Sequence, residues 1–123
     1  MNPYVYNVHM HAFHNPVVIR QVDISEAMED LDPNIQMPLS QSNLLELIFK
    51  YGQNMFQSVP GRYSVSVGDV IELHDGSFHM VGGVGFFPIS PETKEKLPLN
   101  LASKVLFPKD EEDLLNKIDE VGR

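Results

Sequence analysis

Five histidines and a handful of carboxylates are the side chains in this 123-residue sequence best suited to chemistry. His9, His11 and His14 crowd the N-terminal region. On a β-strand, His9 and His11 would project to one face roughly 7 Å apart. Two imidazoles at that spacing can chelate a transition metal, with His14 or Asn7 adding a ligand. A divalent metal is therefore the one cofactor the sequence suggests, with His9, His11 and His14 as its candidate ligands. His74, His79 and Glu72 form a second group. If the two segments were neighbouring strands, both groups could converge on one site. Glu72 opposite His79 would make a cross-strand pair able to orient an imidazole as a general base, with Ser77 as the nearest nucleophile. A serine at a hairpin tip is poorly shielded from water, and no HExxH or comparable metal signature is present. The commoner role for such histidines is that of polar residues on a half-exposed strand.

These residues need elements to hold them. Tyr4, Tyr6, Val8 and Met10 alternate with Val5, Asn7, His9 and His11, which predicts a strand. The β-branched run from Val17 to Ile24 predicts a second strand, pairing with the first. Ser25 then fits an N-cap for a short helix over Glu26–Leu31, stopped before Asp32-Pro33. Asn43 as N-cap with Glu46 at N3 fits the start of the main helix, along which Leu44, Ile48, Tyr51 and Met55 recur. Pro60-Gly61 signals a turn and Gly68-Asp69 a bend. Val70–His74 and Ser77–Val81 read as strands joined by a two-residue Asp75-Gly76 turn. That turn would place Ile71, Leu73, Phe78 and Met80 on the core face. It would place Glu72, His74, Ser77 and His79 on the other.

Gly82, Gly83 and Gly85 then suggest a bulge or a close backbone approach. No helix follows them directly, as a phosphate loop would require; the run Val84–Ile89 is strand-like. Ser90 with Pro91 marks a short helix start. Lys104–Phe107 fits a last strand, and Asp110 caps a C-terminal helix with Leu114, Leu115, Ile118 and Val121 on its apolar side. The whole predicts a single α+β domain over residues 1–123. An antiparallel sheet of about five strands packs against one main helix, with a C-terminal helix on another edge or face. The expected core is Tyr6, Val8, Ile19, Leu44, Ile48, Tyr51, Val67, Ile71, Leu73, Phe78, Met80 and Phe86.

Composition narrows the function classes. Nine Lys+Arg against 17 Asp+Glu give a formal net charge of −8, the wrong sign for capture of nucleic acid. Without Cys there is neither a disulfide framework nor a thiolate site. No apolar run is long enough to span a membrane and no signal peptide is evident, so a cytoplasmic location is expected. Residues 63–91 carry no Lys or Arg, as a sheet core would. An exposed Phe86 or Phe87 in that stretch would mark a partner or homo-oligomer surface. The acidic positions Asp110–Asp113 fall at a helix start, where the helix dipole favours them.

A family resemblance adds to this. Leu44-Leu45-Glu46-Leu47-Ile48-Phe49, then Gly61-Arg62-Tyr63-Ser64-Val65-Ser66-Val67-Gly68-Asp69-Val70-Ile71, then Val84-Gly85-Phe86 resemble the YodL-like domain. The similarity covers residues 44–89. It departs at Gly82-Gly83, where the family tends to carry an aromatic-Val-Asp stretch. The resemblance implies a protein of phages or mobile elements, found in the host cytoplasm and linked to antirestriction loci. The expectation is a non-enzymatic interaction protein with a protein partner, with Phe86, Phe87, Glu72, His74 and His79 as candidate contacts. The alternatives are a metal-binding or hydrolytic histidine domain and an accessory virion protein.

Overall fold

The computed structural model describes residues 4–12, 18–26, 40–53, 64–83, 85–97 and 108–121. Five strands form one antiparallel sheet: β1 Val5–Met10, β2 Val18–Asp23, β3 Val70–Glu72, β4 Phe78–Val81 and β5 Phe86–Ile89. Their spatial order is β2-β1-β3-β4-β5. Among the described residues, three helices accompany them: α1 Gln41–Tyr51, α2 Pro91–Glu95 and α3 Glu111–Val121. The architecture is the expected α+β fold with a main helix and a C-terminal helix. Among the described residues, no helix is long and apolar enough to cross a membrane.

Each sheet face has its own cover. Tyr6, Val8, Met10, Val22, Ile71, Leu73 and Val81 cluster with Leu45 and Ile48 of α1. Val70, Met80, Phe87 and Ile89 cluster with Leu114 of α3, and Phe78, Leu97 and Ile118 pack at the margin. Burial on both faces explains why the middle strands read as near-continuous apolar runs. Burying a side chain such as Ile48 or Leu114 removes it from water at a gain of about 1.5–3 kcal/mol each.

The β3–β4 hairpin corrects the sequence-based register by one residue. Val70 pairs with Met80, Ile71 with His79 and Glu72 with Phe78. The connection is a three-residue loop, His74-Asp75-Gly76, closed by Leu73 N–H to Ser77 O and Gly76 N–H to Leu73 O, both at 3.0 Å. Gly76 takes φ +87°, the left-handed conformation that follows a type I turn in such loops. Asp75 stabilises the loop by accepting from Ser77 N–H at 2.9 Å. An Asp-Gly pair serves either turn, so the local signal alone could not separate the registers. The shift has consequences. Phe78 and Met80 do not share a face with Ile71 and Leu73, and Glu72 lies on the opposite face from His79. β3 also ends at Glu72 rather than His74.

Further differences are local. Ser40, not Asn43, caps α1: its hydroxyl accepts from Asn43 N–H at 3.2 Å. Leu45 is buried, whereas Leu44, Tyr51, Val67, Phe78 and Phe86 are only half-buried at the core margin. Ile19 is not core at all, being 57% exposed on the face opposite Val8 and Val22. The expected caps of the later helices are present: Ser90 accepts from Thr93 N–H, with Pro91 behind it, and Asp110 accepts from Asp113 N–H at 2.7 Å. Gly82 is a place of close backbone approach, since a Cβ there would sit 2.9 Å from Pro108 O. The Glu26–Leu31 helix, the Pro60-Gly61 turn, Tyr63, Met55 and the Lys104–Phe107 strand lie outside the described residues.

Candidate functional site

β1 and β3 are neighbours, so one histidine group does meet a carboxylate. Asn7 of β1 pairs with Glu72 of β3, and His9 pairs with Val70. His9 and Glu72 are therefore diagonal neighbours on one face. His9 Nε2 lies 2.9 Å from Glu72 Oε1 and serves as the donor. The His9 ring also meets Phe78 edge-on at 5.8 Å. Lys94 of α2 stands over the Phe78 ring, 5.3 Å from its centroid.

His11 lies just beyond β1, its ring 6.5 Å from that of His9. It is 6% exposed, and neither ring nitrogen has a hydrogen-bond partner among the described residues. Burial, then the nearby charge of Lys94, then His9 lower its pKa to about 4. Burial likewise lowers His9, against the raising effect of its hydrogen bond to Glu72. Both imidazoles are thus neutral near pH 7. Two neutral imidazoles and a carboxylate are sound metal-binding chemistry. Among the described residues, however, no group of three or more ligating side chains is close enough to enclose an ion. His14, the third candidate ligand, lies outside the described residues.

The second histidine group is dispersed. His79 is buried on the α1 face, beside Ile71. Its Nε2 lies 2.9 Å from Ser77 Oγ. Ser77 gives its only hydroxyl proton to Asp75 Oδ1 at 2.6 Å, so His79 must donate to Ser77 rather than accept. That is the wrong polarity for a serine nucleophile and its base. Glu72, on the opposite face, cannot orient His79. His74 instead stacks on Tyr6, with ring centroids 4.1 Å apart, and its Nε2 lies 2.9 Å from Val5 O. Phe87 is buried beneath α3, while Phe86 is half-buried and meets Phe49 edge-on at 6.1 Å.

Concavities lined by described residues open on the surface. One, of about 610 Å³, lies beside β1 and β2 and is lined by Val5, Asn7, Gln21, Glu72, Leu73, His74 and Gly76. Another, of about 360 Å³, runs past Glu46, Phe49, Val67 and Phe86 over the glycines 82, 83 and 85. The first mixes polar and apolar side chains; Ile19 lies on the same sheet face, two residues before Gln21, and Leu114 of α3 packs on that face against Val70, Met80, Phe87 and Ile89. Asn7 is a candidate from sequence only as an added metal ligand, and Gln21 is not a candidate at all. The signal for Asn7 is its place two residues before His9 on β1; Gln21, on β2, meets it through a pairing that no local rule specifies.

Asp69 was also missed as more than a bend residue. It is 1% exposed; Oδ1 accepts from Ala12 N–H and Oδ2 from Ser66 N–H, each at 2.9 Å. Burial raises its pKa to about 6 despite those two bonds. It ties the end of β1 to the loop that leads into β3, and so helps place His9 and His11. Comparison with models of protein families, with curated proteins and with solved structures finds no match to this chain.

Proposed function

We propose that this is a non-enzymatic interaction protein of phage or mobile-element origin, binding a host or phage protein on the β1–β2 half of its sheet. One observation carries the proposal: Ile19, 57% exposed, stands on a sheet face that also holds an open cleft lined by Asn7, Gln21 and Glu72. An aliphatic side chain facing water on the same face as the polar side chains of Asn7, Gln21 and Glu72 supports a protein-binding reading. The net charge of −8 and the resemblance of residues 44–89 to the YodL-like domain support it. The Ser77–Asp75 bond argues against hydrolysis at His79. Immobilised protein should retain a specific partner from host lysate, and Ile19→Asp should abolish that capture. Recovery of no specific partner, or equal capture by Ile19→Asp, would overturn the proposal.

A second reading, divalent metal binding through His9 and His11, is favoured by the two orphaned ring nitrogens of His11. Buried polar atoms without partners call for an explanation, and an ion is one. Protein purified without a polyhistidine tag should then carry stoichiometric Zn, Mn or Fe, lost on His11→Ala. Substoichiometric metal that is unchanged by that substitution would sink it.

A further inference from the structure

We propose that the cleft beside β1 and β2 receives an arginine side chain presented by the protein partner. This deepens the partner-binding function proposed above and rests on it. The cleft is floored by a row of three polar side chains. Gln21 of β2 is in register with Asn7 of β1, and Asn7 with Glu72 of β3. Paired residues share a face, and adjacent strands lie about 4.8 Å apart. The row is therefore amide, amide, carboxylate along a line roughly 10 Å long.

None of these groups is fully committed. Among the described residues, no hydrogen bond engages the side-chain amide of Asn7 or Gln21. Glu72 uses Oε1 on His9 and leaves Oε2 free, with its side chain 35% exposed. Among the described residues His9 is also its only ion-pair partner. Among the described residues, no Lys or Arg lines the cleft. The carboxylate is thus a partly exposed negative charge in a concave, partly apolar site, which repels anions and favours a cation.

The shape of the row selects among cations. A guanidinium is planar, with five N–H donors in a fixed fork. It can give N–H groups to Glu72 while others reach the amide oxygens of Asn7 and Gln21. Val5 and Leu73 at the wall offer apolar surface to its aliphatic stem. An ammonium is a compact point charge and satisfies fewer of these acceptors at once.

The test is a titration of the isotope-labelled full chain with N-acetyl-arginine methylamide, followed by amide chemical shifts. The shifts should concentrate at Asn7, Gln21 and Glu72. The citrulline and lysine analogues should bind about tenfold more weakly, as should arginine to Glu72→Gln. Gln21→Ala, an exposed position that leaves the fold intact, should weaken binding by a few-fold. Shifts elsewhere, equal binding of the citrulline or lysine analogue, or full affinity in both variants would overturn the proposal. A lysate partner captured equally by Glu72→Gln would also reject the arginine while leaving the partner-binding function standing. Arginine binding without any lysate partner would do the reverse.

Discussion

In metal-free buffer, stability measured by denaturant titration should respond to pH in opposite senses in His11→Leu and Asp69→Asn. His11 has its pKa lowered to about 4 in the folded protein. The unfolded chain therefore binds a proton that the folded chain refuses as pH falls from about 6.5. Its contribution is fully present above that value and is lost toward pH 4, by about 3 kcal/mol. Asp69 has its pKa raised to about 6. Its contribution is present below about pH 4 and is lost as pH rises to 6, again by about 3 kcal/mol. In the wild type the two effects oppose each other between pH 4 and 6. Relative to wild type, His11→Leu should lose about 3 kcal/mol as pH rises through that window, and Asp69→Asn should gain about as much. Near pH 7, His11→Leu should be the more stable protein, because it removes two buried nitrogens that lack partners among the described residues. Parallel pH curves for both variants and the wild type would show that neither group titrates as its burial requires.

Gly52→Ala should cost about 2–3 kcal/mol, through space rather than backbone conformation. Gly52 ends α1 at φ −79° and ψ −2°, which alanine adopts freely. A Cβ there would run into the side chain of Val65 and come within 3.1 Å of Ile48 O. Val65 has little room to yield. It is 1% exposed, its N–H donates to Gly52 O at 3.1 Å, and Gln53 Nε2 bridges Phe49 O and Val65 O. The double variant Gly52→Ala/Val65→Ala should be markedly less unstable than the sum of its parts. Gly76→Ala is the contrast. With nothing within 4 Å and φ +87°, it should cost only the backbone penalty of about 1 kcal/mol. Equal losses at both glycines would remove the packing argument.

The two hairpins show how much was legible. β1 with β2 was readable because alternation in Tyr6, Val8 and Met10 fixes which residues face inward, and the paired strand is β-branched. The helix starts at Ser90 and Asp110 were readable because a cap is a contact over three residues. The β3–β4 register was not, since Asp75-Gly76 suits a two-residue or a three-residue loop and each face of the pair mixes apolar residues with one polar one, His79 or Glu72. Ile19 looked like core for a related reason: alternation separates two faces but does not say which the helices cover.

Sequence alone therefore determined an acidic single-chain α+β unit, its strand segments and its main helix, because hydrophobic period and capping act between near neighbours. It also limited strong metal ligands to histidine and carboxylate, there being no Cys. Tertiary structure decided which of them meet. It put His9 against Glu72 and separated Glu72 from His79. It left His11 buried without a hydrogen-bond partner among the described residues and lined up Asn7 with Gln21. Those outcomes depend on strand order and on a one-residue register, and a single-residue shift moves every side chain to the opposite face.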